Sequence, residues 1–233
     1  TWVWSDDLLL PRYVEVLRGA LVQNPTHWLA GCNAYRYYYS ADPNLPVPPA
    51  TLDPPDPSWG LLNERYATAT IKGDAYALGI FAKVYPVTQM CNLFRTAAVK
   101  QVFDNYIQLE NPFGFDYARM AYGNDVAFLS EMGLRSGELV QVGDPLVVAR
   151  STPNSLTERL IKKDRWQYWL QYTWAFYYGW SKCRALSPRM NTLINLALDR
   201  VHFCNIPYVV KNGRWPRYRN PFRAARALGF ILR

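Results

Sequence analysis

Apolar residues fall at helical spacing soon after the start of the chain. Tyr13, Val14, Leu17, Leu21 and Val22 make one apolar side once Pro11 has opened the segment. Trp2 and Trp4 precede it as anchors, and Asp6 and Asp7 suit the positive end of a helix. Asn24-Pro25 breaks the pattern, and Thr26 can cap a second helix through Trp28, Cys32, Tyr35 and Tyr39. Residues 1–41 therefore read as an extended N-terminal helical arm. The next stretch, 42–57 (DPNLPVPPATLDPPDP), is too rich in proline for helix or central strand and reads as a semi-rigid strap.

Helical spacing resumes at Ser58 with Leu61, Leu62, Tyr66, Ala69 and Thr70, and Gly73-Asp74 ends one helix and caps the next. Residues 75–94 approach the length of a membrane span, and Ala75 with Gly79 is a small-xxx-small pair. Lys83, Pro86, Gln89 and Asn92 interrupt that run, and a mid-span charge costs at least about 2.5 kcal/mol, so a buried helix broken near Pro86 is favoured over a crossing. The pattern then continues helically through Phe94, Val99, Val102 and Ile107 to Asn111-Pro112. Asp125 caps a short helix containing Phe128, Leu129 and Met132. Leu139 to Val148, interrupted by Gly143-Asp144-Pro145, reads as a small β hairpin.

The most unusual pattern lies in 156–186, where Trp166, Trp169, Trp174 and Trp180 interleave with Tyr168, Tyr172, Phe176, Tyr177 and Tyr178 and no charge falls between Arg165 and Lys182. The even positions from Trp166 to Trp180 are all aromatic or Leu, which also fits a strand. A strand of that length exceeds the usual limit of about ten residues. Ser155 with Glu158 makes a capping box, and Ser187-Pro188 closes the element, so the signals select one helix of about 45 Å. Such a surface requires cover from a protein interior, a partner or a membrane interface. Trp166, Trp169, Tyr172, Trp174, Phe176 and Trp180, with Trp215 further on, are the candidate partner or membrane contacts. A last amphipathic helix follows from Pro188 to Phe203.

The expected fold is thus mainly α. It has the extended arm, the proline-rich linker, a helical body over 58–203 with one small hairpin, and a basic irregular tail over 204–233. The 233 residues, half of them apolar, suffice for a substantial core. Thr1 in the place of Met fits either trimming or a removed presequence.

Charge adds one localised feature. The chain carries a net +8, and Lys211, Arg214, Arg217, Arg219, Arg223, Arg226 and Arg233 supply seven positive charges after residue 204 with no acid among them, leaving about +1 for the rest. Trp215, Tyr218, Phe222 and Phe230 lie between those cations. Lys182 and Arg184, at the end of the aromatic run, join Lys211, Arg214, Arg217, Arg219, Arg223 and Arg226 as candidate lipid- or phosphate-binding residues.

Catalytic chemistry has little to attach to. No Rossmann, P-loop, nucleophile-elbow or zincin motif occurs, and His27 and His202 are the only histidines. Catalytic, cofactor and metal sites are therefore not expected. His27 with Cys32 and His202 with Cys204 do not have usual zinc spacing, and Cys32, Cys91, Cys183 and Cys204 read as buried thiols.

The aromatic run from Leu156, the strap and the basic aromatic tail together resemble the accessory subunits of mitochondrial inner-membrane energy complexes, such as ATP synthase or the respiratory chain. The resemblance implies a non-catalytic structural subunit, peripheral or partly embedded at that membrane, in contact with other subunits and with anionic phospholipid such as cardiolipin. The rival reading is an RNA-binding subunit of a mitochondrial ribosome, because basic tails with interleaved rings serve RNA as well.

Overall fold

A computed structural model describes residues 7–38, 60–107, 123–151, 165–186 and 188–212. The proline-rich strap, the Trp2–Trp4 anchor, the entry to the aromatic helix over 156–164 and the tail beyond 212 lie outside them. The chain divides into two compact units. One comprises Thr1–Val102 with Met132–Ser155, and the other Phe103–Glu131 with Leu156–Arg233.

The first unit is built on a six-stranded mixed sheet, which corrects the expectation of a mainly α chain. Two long strands form its centre, β2 (Leu29–Tyr38) and β6 (Glu138–Ser151), and they pair in parallel. Short strands pair antiparallel with them. β1 (Leu8–Leu9) and β4 (Ala69–Lys72) lie against β6, while β3 (Gly60–Leu61) and β5 (Asn92–Phe94) lie against β2. Short strands at the margins leave little unpaired backbone for another chain to join.

β2 replaces the second helix expected after Thr26. Its residues Leu29, Ala30, Cys32, Asn33 and Ala34 are all buried, so both faces of the strand are covered. A strand buried on both faces shows no alternation, and its spacing imitates a buried helix. β6 corrects the hairpin in the same way. Gly143-Asp144-Pro145 is a bulge inside one strand: Val142 lies opposite Cys32 and Pro145 opposite Asn33, so β6 advances three residues while β2 advances one. Pro145 has no N–H to give to a ladder, and a bulge is a place where a strand tolerates that loss. Asn33 fills the gap on the other side, its Nδ2 donating to the Glu64 carbonyl and its Oδ1 accepting from the Ala34 N–H. Gly143 is required there, because a Cβ would collide with the Tyr66 carbonyl oxygen.

Helix α1 (Tyr13–Gln23) follows its expected course. Tyr13, Leu17 and Leu21 pack on one sheet face with Ala30, Cys32, Ala34, Val140, Val142 and Val147, while Val14 and Val22 are exposed. The Arg95 guanidinium closes the C-terminal end of α1, donating to the carbonyls of Leu21, Asn24 and His27. Leu21 and Asn24 carry orphan acceptors that the helix end leaves behind, met by a cation where the dipole favours one, and His27 lies in the loop that follows.

Residues 75–94 are not one helix. They form α2 (Gly73–Phe81), a turn, a 3-10 turn at Gln89–Cys91 and then β5. The helical spacing assigned from Ser58 belongs, from Gly60 on, to β3, an irregular link and β4, while Ser58 itself lies outside the described residues. Helix α3 (Thr96–Ile107) begins only after β5.

The second unit is helical. The short helix expected at Asp125 is α4 (Asn124–Ser136), of which the part through Glu131 belongs here. The aromatic run is helical, α5 (Arg165–Ser181), but it ends at Ser181, with a turn over 182–186 in place of the helix expected up to Ser187-Pro188, and it packs along α6 (Pro188–Asn212). Pro188 is the first residue of α6, where its missing N–H costs nothing. The helix runs past Phe203 and through Pro207, so 204–212 is helical and not irregular. Met190, Leu193, Ile194, Ala197, Leu198 and Val201 form its buried side. Among the described residues, no helix is long and apolar enough to cross a membrane.

Candidate functional site

In the helical unit, Tyr172, Trp174, Phe176 and Trp180 are all buried, as are Tyr168, Gln171, Thr173 and Tyr178. Trp169 and Tyr177 are half-buried. The rings touch edge to face along the helix: Trp169 with Tyr172 at 5.9 Å, Tyr172 with Phe176 at 5.1 Å and Phe176 with Trp180 at 5.5 Å between centroids. That geometry places positive ring edges on negative faces and adds to the area term. Polar positions survive in this interior by bonding to the helix itself. The Thr173 hydroxyl donates to the Trp169 carbonyl and Ser181 to the Tyr178 carbonyl.

Four of the seven residues expected to meet a partner or membrane are thus interior side chains of this chain, and Trp169 is covered in part by the Arg200 guanidinium, 5.1 Å from its ring. Trp215 lies outside the described residues. Burial raises the Tyr172 phenol well above its ordinary pKa, with nearby Tyr168 adding and Arg200 opposing.

Among the candidate lipid- or phosphate-binding residues, Lys182 and Arg184 are exposed, directly after α5. The Lys182 Nζ lies 4.5 Å from the centre of the Tyr178 ring, a contact that holds the ammonium at the helix end while leaving it in water. Lys211 is in the last turn of α6, and Arg214, Arg217, Arg219, Arg223 and Arg226 lie beyond the described residues.

In the sheet unit, a second group of polar side chains comes together that the sequence reading did not single out. It occupies the sheet face opposite α1, because residues alternate in a strand and Gly31, Gln141 and Asn92 fall on the other parity from Cys32 and Val142. The Tyr76 hydroxyl donates to Asn92 Oδ1 at 3.1 Å, the Asn92 amide donates to the Thr88 carbonyl, and Gln141 Nε2 donates to the Tyr66 hydroxyl at 2.7 Å. Tyr85 stacks on Tyr76 at 5.7 Å and meets Tyr66 edge to face at 5.2 Å. Asn92, one of the residues that interrupted the apolar run over 75–94, was the visible sign of this network.

Its chemistry is that of neutral hydrogen bonding. Burial raises the phenols of Tyr66, Tyr76 and Tyr85, and burial likewise raises the Cys91 thiol, with Cys32 adding. Phenols held protonated donate and accept hydrogen bonds and do not serve as bases near neutral pH. The carboxyl of Asp125, at the start of α4, is raised by burial to about 7. Among the described residues, no group of three His, Cys, Asp or Glu side chains can hold a metal ion. No family model, curated protein or solved structure matches the chain.

Proposed function

We propose that the protein is a non-catalytic structural subunit of a membrane-associated assembly, in keeping with the resemblance to accessory subunits of mitochondrial inner-membrane energy complexes. In this reading it meets anionic phospholipid through cations, while its aromatic helix serves as its own core. One observation carries the reading: the rings of α5 turn inward, and the exposed Lys182 and Arg184 follow them at once, ahead of seven further cations without an acid after residue 204. Each basic residue close to an anionic surface contributes on the order of 1 kcal/mol, reduced by salt. Attachment of this kind is peripheral.

The test is flotation of the full chain with liposomes, with and without cardiolipin, beside a K182E/R184E double variant and a form ending at Asn205. The expected result is cardiolipin-dependent flotation that weakens with salt, falls in the double variant and is largely lost on truncation. Equal flotation of all forms removes the cations from the account. Binding to structured RNA in preference to cardiolipin vesicles replaces the lipid reading with the ribosomal one.

A further inference from the structure

Cys32 and Cys91 face each other across two strands. The antiparallel register of β2 and β5 pairs Leu29 with Phe94, Ala30 with Leu93 and Gly31 with Asn92, and Cys32 and Cys91 are the residues directly beyond that last pair. Both thiols are free, both are buried among the residues packed on α1, and they hydrogen-bond to each other. Two thiols close enough to hydrogen-bond need little movement to reach the roughly 4.4–6.8 Å Cα separation that a disulfide spans. At Cys91 the chain leaves β5 for the 3-10 turn, and the Cys91 N–H donates to the Thr88 carbonyl.

We infer that Cys32 and Cys91 are a dithiol modification site that hydrogen peroxide converts to a disulfide in the folded protein. Burial makes each thiol a poor target while the site is closed. Access comes through β5, a three-residue strand paired with β2, because short edge elements open at a lower free energy than the centre of a sheet. The Asp7 carboxylate disfavours the Cys91 thiolate, as burial does. Reaction is accordingly slow, with opening as the limiting step.

In the first step, Cys32 Sγ attacks a peroxide oxygen. The O–O bond breaks, hydroxide departs and takes the Cys32 proton as water, and Cys32 is left as a sulfenic acid. Cys91 Sγ then attacks Cys32 Sγ. The S–S bond forms, the S–O bond breaks, and the hydroxyl leaves with the Cys91 proton as a second water. Two thiols lose two electrons together, and one peroxide becomes two waters.

The experiment treats the full chain with hydrogen peroxide under native conditions, blocks remaining thiols by alkylation, and reads intact mass and unreduced peptides. The expected product has lost the mass of two hydrogens, joins the peptides that contain Cys32 and Cys91, and reverts with reductant. It persists in C183S, disappears in C32S, and forms several-fold faster in urea below the unfolding transition. If C32S does not fold, the linked peptide from the unaltered chain still decides the matter. A bridge only between Cys183 and Cys204, or peroxide products at Cys32 or Cys91 without a bridge between them, overturns the inference. So does a pair that stays fully reduced until the chain unfolds.

Discussion

The two units bury their most extended apolar elements by different means. In the sheet unit, β2 and β6 are covered on both faces and along both edges, one face by the apolar side of α1 and the other by tyrosines and amides that bond to one another. In the helical unit, α5 satisfies its backbone within itself, so nearly its whole circumference can be aromatic, and its Thr173 and Ser181 hydroxyls bond to its own carbonyls. Backbone satisfied by neighbours calls for exact partners at each position, whereas backbone satisfied within the element calls only for cover. The sheet unit should therefore be sensitive at particular polar contacts, and the helical unit to lost volume and to close approach.

The largest effect is expected at Trp180, fully buried in the helical unit and in ring contact with Phe176. Trp180→Ala should cost about 3–5 kcal/mol in urea denaturation, the range for deleting a large buried ring. A loss below about 1 kcal/mol, as for an exposed residue, would mean that α5 is not a core element.

Arg95→Met is the matching test of the sheet unit. It retains much of the stem and deletes the donors to Leu21, Asn24 and His27, and a loss of about 2–3 kcal/mol is expected from buried bonds to a charged group. Unchanged stability would show that water caps α1 equally well.

Two glycines then compare the units directly. A Cβ on Gly179 would lie 2.6 Å from the Ala127 carbonyl oxygen, while one on Gly19, in α1, meets nothing within 4 Å. Gly179→Ala should destabilise by about 1–3 kcal/mol because α4 must move, and Gly19→Ala should stabilise by about 0.5–1 kcal/mol through helix propensity. The same sign for both substitutions would break the comparison.

The remaining test is a pH dependence from Asp125. Its folded pKa of about 7 lies above the ordinary 3.8, so between those values the unfolded chain is ionised while the folded chain holds the proton. Its contribution to stability is level below about pH 4, falls as the pH rises toward 7, and is level again above the folded value. Urea midpoints measured from pH 4 to 8 should show this decline in the unaltered chain and a flatter profile in D125N. Identical slopes would assign the dependence to other groups.

The helical unit was legible in the sequence where its signals are local. The charge-free run between Arg165 and Lys182 marked an interior, the length of the run argued against a strand, and Asp125 marked the start of α4. In the other unit α1 was legible for the same reason, but the sheet was not, because parallel pairing of β2 with β6 depends on residues more than 100 positions apart, such as Ala30 with Val140. Strands buried on both faces carry no alternation, and Gly143-Asp144-Pro145 has the composition of a turn whether it ends a strand or bulges within one. The polar network was missed for a related reason. Tyr66, Tyr76 and Gln141 are far apart in sequence, and a lone Gln or Asn in an apolar run shows only that a partner exists somewhere. Sequence also located the aromatic helix without showing which surface covers it, since an interior and an interface demand the same composition.

That question of cover is the centre of the account, and hydrogen–deuterium exchange read by mass spectrometry on the full chain, alone and with cardiolipin vesicles, addresses it most directly. Amides over 168–180 should be strongly protected in the isolated protein and unchanged by vesicles, while those after Ser181, beginning at Lys182 and Arg184, should gain protection. Rapid exchange over 168–180 in the isolated chain, slowed only when vesicles are added, would contradict the account and make α5 the membrane-binding surface itself.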